Sequence, residues 1–189
     1  VCSSDLEIVD QGARVFLDLK FHDIPNTVTQ AAIEAAKLGV SMMTIHASGG
    51  RAVMESVSRT LRENFGDHKP LVVAVTVLTS LNAEALAEVG VPHSMEDQVR
   101  RLATLARDCG IDGVVCSPHE IELVRAAAGP NFRIVTPGIR MEGQAANDQQ
   151  RTATPRQAIA RGADYLVVGR AVTNSPNPHE ALQQLIHSM

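Results

Sequence analysis

Six times along this chain a short apolar run gives way to a cluster of Gly, Pro, Ser, Thr or Asn, and then to a stretch with helical spacing. That alternation constrains the fold more tightly than any other property of the sequence. The clearest run is 71–78, Leu-Val-Val-Ala-Val-Thr-Val-Leu, apolar on both faces as a strand covered by helices on each side should be. Further strands are predicted at 15–19, 40–47, 113–117, 133–137 and 164–169, and helices over 28–38, 51–64, 82–89, 95–109, 120–128, 155–161 and 178–187. Gly39 closes the first of these helices, and Asn26 or Thr27 is expected to cap its start.

Strand–helix alternation of this kind belongs to a parallel sheet covered by helices. No Gly-x-Gly-x-x-Gly follows an early strand, which disfavours a dinucleotide-binding doubly wound sheet. The remaining architecture is a single-domain TIM (β/α)8 barrel over residues 1–189. Only six of its units are legible, so the expectation is a barrel lacking about its first two βα units. Residues 6–12 read as the tail of a helix stopped by Gly12.

Composition removes several functional classes. A net charge of −4 gives no basic footprint for nucleic acid, and 3% aromatic residues provide no stacking platform for single strands. No apolar run approaches the roughly 18 residues that signal a membrane span. Cys2, Cys109 and Cys116 lack metal-ligand spacing, and free thiols in a reducing cytoplasm are the expectation.

Polar residues at the strand ends carry the chemistry. In Val15–Thr27, Phe16, Asp18 and Lys20 share one face of a regular strand and Val15, Leu17 and Leu19 the other, which is expected to pack on helices. Asp23 lies just past the strand end. Asp18 and Lys20 admit two readings: an ion pair at the sheet rim, of little energetic weight, or an active site at the carboxyl end of a strand. Pro137-Gly138-Ile139-Arg140 and Gly169-Arg170 place an Arg at two further strand ends, which together favour a phosphate. Thr79-Ser80 offers either a polar contact or a cap for the helix near Asn82, and His46 is read as a hydrogen-bonded structural residue. Residues 141–153 form a polar loop long enough to grip a ligand.

With these residues placed, the chain resembles the orotidine 5′-phosphate decarboxylase family, in its bacterial form. The resemblance is carried by Asp18-Leu19-Lys20-Phe21-His22-Asp23-Ile24-Pro25-Asn26-Thr27, by His46-Ala47-Ser48-Gly49-Gly50 and by Val75-Thr76-Val77-Leu78-Thr79-Ser80. It continues in Thr136-Pro137-Gly138-Ile139-Arg140 and Val168-Gly169-Arg170. It implies conversion of orotidine 5′-monophosphate to UMP in pyrimidine biosynthesis, without metal or organic cofactor, by a cytoplasmic homodimer. By that likeness Lys20 protonates C6 of the pyrimidine, Asp18 crowds the substrate carboxylate and holds Lys20, and Asp23 reaches into the partner's site beside Ile24 and Thr27. Thr79 would meet the pyrimidine edge, and Arg140, Gln149, Gly169 and Arg170 would hold the 5′-phosphate. The family's first two strands supply an Asp and a second Lys that have no counterpart here, so the chain as given is expected to be weakly active or inactive. The alternatives are a Mg2+-dependent sugar-phosphate decarboxylase of the same superfamily and a non-catalytic nucleotide-binding fragment.

Overall fold

A computed structural model describes residues 8–141 and 151–189. The chain divides into two compact units, one formed by residues 1–75 with 102–113, the other by 76–101 with 114–189.

In the first unit, strands β1 (Phe16–Phe21), β2 (Met42–His46) and β3 (Leu71–Val75) lie side by side in chain order, each pair parallel. Met43, Ile45, Val73 and Ala74 are wholly buried, which is why the run around β3 is apolar on both faces. Helix Pro25–Lys37 begins with Pro at a position whose N–H would have no intrahelical partner anyway. Helix Arg51–Phe65 turns Val53, Met54, Val57 and Leu61 inward. The two helices pack together, and the Thr29 hydroxyl donates to Ser56 Oγ at 2.9 Å across them.

In the second unit, the short strands β4 (Gly113–Val115, starting at the unit boundary), β5 (Arg133–Thr136) and β6 (Tyr165–Leu166) again follow chain order, with β5 and β6 parallel. Helix Ile121–Ala128 buries Ile121 and Val124. Helix Pro155–Ala160 opens with a reciprocal capping box between Thr154 and Gln157, and helix Pro178–His187 is capped by Asn177. Helix Met95–Asp108 is divided between the units, with residues 95–101 in the second and 102–108 in the first.

Several sequence expectations need correction. Asn26 and Thr27 do not cap their helix: they lie inside it, and the N-cap position is Ile24, which makes no side-chain cap bond. The apolar face of β1 is not uniformly buried, since Leu17 is buried but Leu19 is 49% exposed. The cause is a break in register, because four residue steps from Leu17 to Phe21 match only two from Met43 to Ile45. Strand β3 ends at Val75 rather than Leu78, and Leu78 is exposed. Asn82 itself caps helix Ala83–Glu88, accepting from Ala85 N at 2.9 Å, so Thr79-Ser80 is not the cap. Residues 167–169 fall outside β6, and Arg170 opens a four-residue helix, Arg170–Thr173, not foreseen in the sequence.

Candidate active site

The irregularity in β1 falls on Asp18, Leu19 and Lys20. Lys20 has φ of +51° and is the one non-glycine residue with positive φ among those described. Such a conformation costs about 1–2 kcal/mol for a residue with a Cβ, so something must hold it. Lys20 Nζ donates to Asp18 Oδ2 at 2.6 Å, and its backbone N–H donates to Thr44 Oγ1 at 2.8 Å. The Thr44 hydroxyl in turn donates to Asp18 Oδ1 at 2.9 Å. Both Asp18 oxygens are thereby engaged, one by an ammonium and one by a wholly buried hydroxyl.

The Asp18 and Lys20 side chains are each 40% exposed. An ion pair so open to water is worth no more than about 1 kcal/mol. Stability alone therefore does not account for a strained backbone, and strain of this kind clusters at functional sites.

At the end of β2, His46 is half-buried and stacks on His22, with ring centroids 4.8 Å apart and planes inclined by 29°. Burial pushes the His46 pKa below its usual 6.5, with His22 and Lys20 acting in the same direction and Asp18 opposing. His22 Nε2 lies 3.5 Å from Ser48 Oγ, at the limit of a hydrogen bond. Asp23 is exposed and accepts from Ile24 N at 2.6 Å. His22, Asp23, Ile24, Pro25, Ser48, Gly49 and Val53 line an open cavity of about 440 Å³, and Ile24 is 66% exposed beside it. Thr27 is exposed on the first turn of its helix.

The other predicted contacts belong to the second unit. Thr79 is half-buried after β3. Arg140 is 9% exposed and donates from Nη1 to the Ile139 carbonyl at 2.8 Å. Its backbone N–H donates to Ala153 O at 3.0 Å, in register with a parallel bridge between Ile139 and Ala153. Gly169 is the exposed N-cap of the short helix that Arg170 opens, and a Cβ added at Gly169 would meet nothing within 4 Å. Gln149 lies outside the described residues.

Sequence reasoning missed Thr44 and Glu120. Thr44 is the one polar residue ahead of His46 in Met42–His46, and a lone hydroxyl in a buried apolar strand was a readable signal. Glu120 is buried, pairs with Arg151 and accepts from Ser117 N at 2.9 Å, while Arg151 also donates to Leu78 O at 3.2 Å. Cys116 is fully buried and its thiol is pushed up to about 12 by desolvation, which fits an inert packing residue.

Parallel strands in chain order, with a carboxylate and an ammonium held together at the end of one of them, define an α/β protein with the site layout of an enzyme. Comparison with known proteins narrows the class. The family model described as Orotidine 5'-phosphate decarboxylase / HUMPS family matches residues 6–185. A protein of Syntrophotalea carbinolica named orotidine 5'-phosphate decarboxylase is 53% identical over 96% of this chain and 76% of its own length. A protein of that name from Hahella chejuensis is 54% identical over 93% of this chain and 75% of its own length. The crystal structure of orotidine 5'-phosphate decarboxylase from Lactobacillus acidophilus superposes with a TM-score of 0.85 at 37% identity, covering 97% of this chain and 79% of that one. This chain belongs to the orotidine 5'-phosphate decarboxylase / HUMPS family. No helix among the described residues is long and apolar enough to cross a membrane.

Proposed function

We propose that this protein is a decarboxylase that converts orotidine 5′-monophosphate to UMP in pyrimidine biosynthesis, with Lys20 as the proton donor to C6. The observation that carries the reading is the strained Lys20, held by its ammonium on Asp18 and by its backbone N–H on Thr44. Relatives at about half identity over most of the chain bear the name of this activity.

The chemistry suits those groups. Breaking the C6–carboxylate bond leaves its electron pair on a ring carbon, and a fixed ammonium beside that carbon stabilises the developing charge. The same ammonium then transfers a proton to C6, which is general acid catalysis. Asp18 orients the Lys20 ammonium, and its own carboxylate would stand next to that of the substrate. Thr79 meets the pyrimidine edge, and Arg140, Gln149, Gly169 and Arg170 take the 5′-phosphate, which lies remote from the reacting carbon. Binding energy from that remote group can be used to orient the ring.

Asp23, Ile24 and Thr27 are assigned to the site of a second copy in a homodimer. Their support is their exposure along the open cavity and the adjoining helix turn. A single domain of the (β/α) barrel type over residues 1–189, with six of the barrel's strands, a cytoplasmic location and a metal-free reaction complete the proposal. The barrel is supported by parallel pairing in chain order and by the structural likeness over nearly the whole chain.

The test is UMP formation from orotidine 5′-monophosphate by the purified protein, with and without EDTA, followed by chromatography. Lys20→Ala should lower kcat by at least about 1,000-fold, since both charge stabilisation and proton donation are lost. Turnover within tenfold of the parent protein would remove Lys20 from the role.

A further inference from the structure

We propose that Thr44 is a positioning residue for the reaction, a single hydroxyl that fixes both the carboxylate of Asp18 and the backbone of Lys20. The inference rests on the function proposed above and adds a residue to it.

The regular parallel ladder cannot hold this stretch. Four residue steps of β1 are set against two of β2, so the Lys20 amide meets a side chain where a ladder would supply a carbonyl. Thr44 provides the missing acceptor at 2.8 Å. A hydroxyl has one proton and two lone pairs. Here the proton is committed to Asp18 Oδ1 at 2.9 Å, leaving a lone pair for the Lys20 N–H. The chain N–H to O–H to carboxylate runs in one direction, so each bond polarises the next. It closes on itself, because the far oxygen of Asp18 takes the Lys20 ammonium at 2.6 Å. Thr44 has no exposed surface, so water cannot replace its hydroxyl without repacking β2. Lys20 retains φ of +51° with two of its atoms bound inside this ring. A catalytic group must be held to within a fraction of an ångström, and small displacements are expensive in rate.

The discriminating pair is Thr44→Val, which keeps the branched shape and loses the hydroxyl, and Thr44→Ser, which keeps the hydroxyl and loses the methyl. Thr44→Val should lower kcat by about 10- to 100-fold with KM changed less than about threefold, because substrate binding groups are untouched. Thr44→Ser should stay within about fivefold of the parent. A crystal structure of Thr44→Val should show Lys20 out of the left-handed region and the Asp18 carboxylate rotated. Equal loss in both variants would make Thr44 a packing residue, and parent-like kcat in Thr44→Val would overturn the proposal outright. If Thr44→Val does not fold, Thr44→Ser against Thr44→Ala makes the same comparison. Absence of decarboxylation in the parent would instead sink the proposed function, and the crystal structure would then decide Thr44: unchanged Lys20 and Asp18 would reject it.

Discussion

The imidazole of His46 shows how a single residue can report on its surroundings. Half-buried and stacked on His22, it is held toward the neutral form by desolvation first, then by His22 and Lys20, against the pull of Asp18. The folded pKa therefore lies below the unfolded value of 6.5, and the unfolded chain binds the extra proton first. Its stabilising contribution is complete above that value and is lost as pH falls through the folded pKa. Thermal unfolding from about pH 7.5 down to about pH 5 should show Tm falling, and His46→Gln should flatten that fall. An identical slope in the variant would assign the pH dependence to other groups. The sequence reading of His46 as a hydrogen-bonded structural residue did not include its stacking partner. His22 is 24 positions away, and only the pairing of β1 with β2 brings the rings together.

Among the elements, the two units share a device at the starts of their strands. Asp112 accepts from Val72 N at 2.8 Å while its own N–H donates to Val72 O at 3.0 Å, and Lys69 neutralises the carboxylate at 2.7 Å. Asp164 does the same for Ile134, accepting at 2.8 Å and donating to its carbonyl at 2.9 Å, with Arg125 as the cation. In each case an Asp just before one strand closes the amide of the strand beside it, so that amide is not left open at the start of the strand. Asp112→Ala strands both Val72 N–H and the largely buried Lys69 ammonium, and should destabilise the protein by about 2–4 kcal/mol. Urea unfolding checks this, and a loss below about 0.5 kcal/mol would reject the device. Helices were legible in the sequence because apolar residues at helical spacing mark them and glycine stops them, as Gly39 does after Pro25–Lys37. Strand ends were less so. Thr76 N still bonds Val115 O at 3.2 Å beyond the end of β3, so apolar character outlasts regular geometry.

For the whole molecule, the assignment of Asp23 to a neighbouring copy makes a statement about assembly that kinetics can read. Lys20→Ala and Asp23→Ala should each be nearly inactive as pure dimers. In a mixed dimer one site carries both substitutions and the other carries neither, so random exchange should restore about a quarter of the parent's activity. Activity that stays at the sum of the two pure variants would place Asp23 in the same subunit's site or outside it altogether.

The alternation of strand and helix was written in the sequence because it is local: apolar period, turn residues and caps act over a few positions. The spacing of Asp18, Lys20 and Asp23 was also readable, and with it the family. What tertiary structure decided is how those residues are held. The register break in β1, the positive φ of Lys20 and the hydroxyl of Thr44 lodged between Asp18 and Lys20 arise only when β1 pairs with β2. Hydrogen bonds that span 24 and 26 positions of the chain leave no trace in local propensity, since the partner strand supplies the group that each residue needs.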